Sequence, residues 1–128
     1  MPIPLAFALL LGATPANGAI DFETRVHQAK MAEAAATGPA YQKALWGKIG
    51  NPTTDAYKGC LASNAPADKS PFTLVLDVDA HGKPQHIAVQ PASKVATCMA
   101  GQFAGWTLPP PPVSPSPYPL EIDFSVAP

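Results

Sequence analysis

Charge is scarce in this chain of 128 residues. Asp, Glu, Lys and Arg together make up 13%, about half the share usual in soluble domains. Eight Lys+Arg stand against nine Asp+Glu, for a formal net charge of −1, and Arg25 is the sole arginine. Such a balance offers no basic face for nucleic acid. Cysteine is almost absent: Cys60 and Cys98 are the only two, with no CxxC and no His ligand spacing around them. The chain has no GxSxG, no HExxH, no phosphate loop and no dinucleotide fingerprint, so no common catalytic signature is written in it. No apolar run reaches the roughly 20 residues of a spanning helix, because Pro4, Gly12 and Pro15 interrupt the longest one. The length leaves room for one small domain and excludes a multidomain enzyme or a polytopic membrane protein.

What is present begins with the amino terminus. No charged side chain precedes Asp21. Residues 3–13 are nearly all apolar, and the small residues Ala13, Thr14, Ala16, Gly18 and Ala19 follow. This is the pattern of a secretory signal peptide over residues 1–19, cleaved after Ala16, Gly18 or Ala19. Export to the periplasm or medium changes the reading of the cysteines. In an oxidising compartment, two distant cysteines without metal-ligand spacing pair as a disulfide; the alternative is two buried free thiols.

The expected mature chain is α+β. Residues 20–63 read as a helical segment. Asp21–Ala36 holds good helix formers without Gly or Pro, but its apolar stripe is thin, as in a surface helix leaning on the domain. Tyr41–Ile49 reads as a second helix ended by Gly50. Asn51-Pro52 then reads as an N-cap with Pro at the first position of a third helix, running to about Ser63 and carrying Cys60. From Phe72 the period becomes two: Phe72, Leu74, Leu76 and Val78 alternate with polar or smaller residues, and a turn over Ala80–Lys83 leads into a returning strand over Pro84–Gln90. Opposing Asp79 to Pro84 sets Leu76 against Ile87, Leu74 against Val89, and Asp77 beside His86. Ser93 caps a further helix whose stripe Val95, Cys98, Met99, Phe103, Trp106 can lie across the hairpin and bring Cys98 to Cys60. Residues 109–119 hold seven prolines and no charge, a stiff polyproline connector. Leu120, Ile122, Phe124 and Val126 then alternate as a third strand. The order predicts a ββαβ module over residues 64–128, folding as one unit with the helices. Its three-stranded antiparallel sheet has order 2-1-3 and is covered by one helix, and the last strand is an open edge.

From Cys60 onward the chain resembles the TonB C-terminal-like superfamily, in particular its cysteine-bearing AgmX/PglI-type branch. The resemblance rests on a Cys before the first strand, the hairpin FTLVLDVDAHGKPQHIAVQP, the helix SKVATCMAGQFAGW with its own Cys, and the closing TLPPPP and EIDFSV. It implies a periplasmic ββαβ module that binds a partner protein and carries no catalytic residues. A TonB energy transducer has an uncleaved membrane helix and a long Pro-rich spacer before this domain. Here the prolines fall inside it, so coupling to an inner-membrane motor is not expected.

The expected function is therefore a non-enzymatic, disulfide-linked, protein-binding module of the bacterial envelope, with no cofactor and no metal. Its partner would be an envelope or secreted protein, met by β-augmentation along Leu120, Ile122 and Phe124. The alternative is a small exported metal-binding protein or enzyme centred on Asp77, Asp79, His81 and His86. Two His and two carboxylates on one hairpin supply ligand types a divalent metal uses, although the calcium-loop pattern fails at its twelfth position, Ala88. Mass spectrometry of the protein recovered from the periplasm or medium tests the export reading. The expected mass is that of a chain truncated after residue 16, 18 or 19 and two hydrogens lighter than its reduced form.

Overall fold

The computed structural model describes residues 20–126, so the expected signal peptide lies outside the described residues. The element order is α1 (Phe22–Ala34), α2 (Gly38–Ser63), β1 (Phe72–Val78), β2 (Pro84–Gln90), α3 (Lys94–Ala104) and β3 (Tyr118–Phe124). The sheet is antiparallel with order β2-β1-β3, as the sequence predicts. Among the described residues no helix is long and apolar enough to cross a membrane.

The Ser93 cap is present as expected, and Asp21 supplies a second one. Asp21 caps α1, its Oδ1 accepting from the Thr24 amide at 2.8 Å. Ser93 caps α3, its Oγ accepting from the Ala96 amide at 3.1 Å. Val95, Met99 and Phe103 of α3 are fully buried on the sheet face made by Phe72, Leu74, Leu76 and Val78 of β1 and Leu120, Ile122 and Phe124 of β3. Phe72 and Phe124 are cross-strand partners, and their rings stack at 4.7 Å, a geometry that adds to plain area burial.

The expected second and third helices are one. Helix α2 runs 26 residues straight through Asn51-Pro52. Proline withholds one backbone donor from the turn before it, yet a single buried stripe (Tyr41, Leu45, Ile49, Thr53, Cys60) continues across it. Packing along that stripe outweighs one lost hydrogen bond. The tight corner between α1 and α2 requires Gly38, where a Cβ would collide with the Glu33 carbonyl.

Helix α1 is not merely a surface helix. It lies on the sheet face opposite α3, so the sheet is covered on both sides. Its buried positions are Ala29 and Ala32, whose short side chains allow close approach while contributing little to an apolar stripe.

The hairpin register is right at its far end and shifted by one near the turn. Leu74 faces Val89 as expected, but Val78, not Asp79, opposes Pro84. The pairing slips between Val75 and Asp77, where His86 on β2 takes a left-handed φ of 54°. The extra residue makes a β-bulge.

The proline segment is also corrected. Residues 113–117 bend rather than continue a straight strap. The start of the segment is tied down: Tyr41 donates to the Pro109 carbonyl at 2.9 Å, and the Leu108 amide donates to the Gly82 carbonyl at 2.8 Å. Strand β3 begins two residues earlier than expected, on the buried Tyr118, and ends before Val126, which is 39% exposed.

Gly82 combines a φ of 83° with a backbone that packs directly on Leu108. Gly82→Ala is therefore expected to destabilise the fold by at least about 2 kcal/mol, read as a lower denaturant midpoint; an unchanged midpoint would contradict this packing.

Candidate functional site

The cysteines expected to pair do so. Cys60, near the end of α2, and Cys98, in the middle of α3, form a disulfide with a Cα–Cα distance of 5.8 Å. Cys60 is buried and Cys98 partly exposed. The bridge fastens the long helix to the helix that covers the core face.

The four residues of the hairpin alternative do not converge. Asp79 Oδ1 accepts from the amides of His81 at 2.8 Å and Lys83 at 2.9 Å. These contacts close the turn and hold the Asp79 carboxyl below its usual range, the Lys83 amide contributing most. Asp77 faces elsewhere: its Oδ2 lies 3.0 Å from His86 Nδ1, the pairing the sequence suggests, and its Oδ1 lies 3.9 Å from Arg25 of α1. His81 is exposed and joins neither pair. Among the described residues no group of three or more His, Cys, Asp or Glu is placed to hold a metal ion.

Strand β3 is the terminal strand of the sheet, and no backbone hydrogen bond beyond its ladder with β1 reaches it among the described residues. Leu120, Ile122 and Phe124, however, point into the core and are all buried. Their side chains form the core face beside Met99 and Phe103, and among residues 120–124 Asp123 alone is exposed. The edge is flanked. Tyr41 meets Tyr118 at 5.0 Å at one end of β3, and Tyr57 meets Phe124 at 5.8 Å at the other, so α2 runs alongside the strand. Near the α1–α2 corner the Tyr118 hydroxyl reaches the Ala32 carbonyl at 3.5 Å. The other edge, β2, is blunted by Pro84 and the bulge at His86, and Arg25 Nη2 already occupies the His86 carbonyl at 2.6 Å.

Two polar features lie beyond what the sequence marks. Burial, reinforced by Tyr118, pushes the Tyr41 hydroxyl up to about 12, which keeps it a donor to Pro109 at any physiological pH. Glu121 on β3 is buried beneath α1; Lys30 Nζ lies 3.4 Å from its Oε2, while its Oε1 has no partner. Alternation places Glu121 opposite the core face, but only the docking of α1 buries it.

No protein-family model, no curated protein and no solved structure matches the chain.

Replacing both cysteines by alanine opens a loop with a sequence separation of 38. The expected cost is about 4 kcal/mol in the chain-entropy account, measured from the midpoint and slope in guanidinium together, because opening the loop also lets the unfolded chain expand and steepens the slope. A loss under about 1 kcal/mol would mean that packing alone holds α2 to α3.

Proposed function

We propose that the chain is an exported, disulfide-linked, non-enzymatic module that binds an extended segment of another envelope or secreted protein through the backbone of β3. The observation that carries this reading is the asymmetry of the two sheet edges. Strand β2 is protected by Pro84, a bulge and an arginine on its carbonyl, the devices by which proteins discourage strand pairing. Strand β3 has Pro119 near its start and α2 beside its two ends, but among the described residues no bulge and no side chain on its carbonyls, and a regular ladder runs from Leu120 to Phe124. Main-chain pairing of this kind supplies affinity without catalytic groups. The Cys60–Cys98 bridge is compatible with an oxidising compartment. The resemblance to the cysteine-bearing branch of the TonB C-terminal-like superfamily points to the same class of role.

Substitution at Ile122 tests the core as much as the edge, because that side chain is buried. The cleaner experiment varies the partner. Nitrogen-15-labelled protein is titrated with extended peptides taken from envelope and secreted proteins, each also made with N-methyl groups on alternate amides. A binding peptide is expected to shift the amides of 120–124, and the N-methylated version to lose at least about tenfold in affinity by failing to complete the ladder. Peptides that bind but shift only β2 or α2 amides would sink the edge-strand reading.

A further inference from the structure

The seam between α1 and the sheet holds charged groups where such seams are ordinarily apolar. Ala29 and Ala32 of α1 are buried, Phe22 and Val26 are half-buried, and Met31 faces water. The remaining attachments include two sets of charged groups, Arg25 on Asp77 and Lys30 on Glu121 and Asp123. Glu121 sits in this seam with its side chain 6% exposed and its Oε1 without a hydrogen-bond partner. The charged groups facing it are Lys30 and Glu33 from α1 and Asp123 from its own strand; β1 presents the apolar Val75 directly opposite. Lys30 is the lone cation among them, 56% exposed and shared between Glu121 at 3.4 Å and Asp123 at 3.9 Å.

The geometry points to α1 as a pH-gated latch over the second face of the sheet, closed when Glu121 carries a proton and loosened when it ionises.

A buried carboxylate with an unfilled acceptor and two carboxylate neighbours is costly, and a proton removes the charge. Burial first, then Asp123 and Glu33, push Glu121 up to about 7 against the opposing pull of Lys30. Once α1 lifts, the side chain meets water and returns toward the ordinary 4.5. The docked state therefore binds the proton more tightly. Its support for docking is complete below about pH 4.5 and is lost as the pH rises through 7. Opening would uncover Val75 and the Glu121 side of β3, beside the edge assigned above to a partner. The latch does not depend on that assignment, because its test reads α1 alone.

Hydrogen exchange of the full chain, corrected for intrinsic rates, compares α1 with α3 between pH 5 and pH 8. Protection of α1 is expected to fall on the order of 10- to 100-fold relative to α3. Glu121→Gln, neutral and of the same shape, is expected to keep α1 protected at both pH values. Lys30→Met removes the one group that lowers Glu121 and is expected to move the midpoint upward. The latch is overturned if α1 and α3 lose protection together, or if α1 protection does not change with pH. It is equally overturned if Glu121→Gln retains the wild-type slope.

Discussion

Val75 and Leu76 are neighbours in β1, point to opposite faces of the sheet, and are each 1% exposed. A strand dry on both faces must be covered twice, and in so short a chain that requirement dictates where the helices go. Helix α3 lies across the face of Leu74, Leu76 and Val78, and α1 across the face of Val75. Parallel sheets meet this demand by alternating strands and helices. Here an antiparallel sheet meets it with one helix that precedes the strands and one that lies between the second and third. The helical segment 20–63 is thus an integral layer of the domain and not an appendage to the ββαβ part.

The long helix α2 serves a different purpose. It packs along α3 and flanks β3, touching the strand at its two ends through Tyr41 and Tyr57. Three ties hold it: the Cys60–Cys98 bridge to α3, the Gly38 corner to α1, and the Tyr41 hydroxyl on the Pro109 carbonyl. The last of these also fixes the start of the proline segment, and the contact of Leu108 with Gly82 fixes that segment to the hairpin turn. A proline-rich crossing between α3 and β3 is therefore anchored by backbone contacts, which its own side chains, lacking donors, cannot supply.

What could be read from the sequence was whatever a local period or a single residue type decides. The alternation of β1, the Ser93 cap, the sheet order, the Asp77–His86 pairing and the cysteine pair all fall in that class. Readings failed where two local interpretations were equally good and packing chose between them. Asn51-Pro52 suits a helix start and also a helix interior that can spare one donor; the buried stripe on either side decided for the interior. Ala29 and Ala32 gave α1 almost no hydropathic signal, although their smallness is what lets the helix come close. Nothing in the residue type of His86 announces a bulge. Glu121 occupies a position that alternation assigns to solvent, and it is buried only because α1 arrives from a distant part of the chain.

Two of these failures, Ala29 with Ala32 and Glu121, lie at the boundary between α1 and the sheet, and they share a physical source. A helix that docks through alanines and ion pairs leaves little mark in an apolar pattern, and for the same reason it is held by little apolar area. Legibility and tenacity fall together there. The core face is the opposite case, since its aromatic and branched residues both declare themselves in the sequence and bind tightly in the fold. In a domain whose central strand needs cover on both faces, one cover is thus locked by a disulfide and a packed aromatic core, while the other rests on two alanines, the half-buried Phe22 and Val26, and a few charges. Any conformational freedom that exposes the sheet should therefore begin at α1, where opening disrupts the least buried area and frees a carboxylate that burial disfavours.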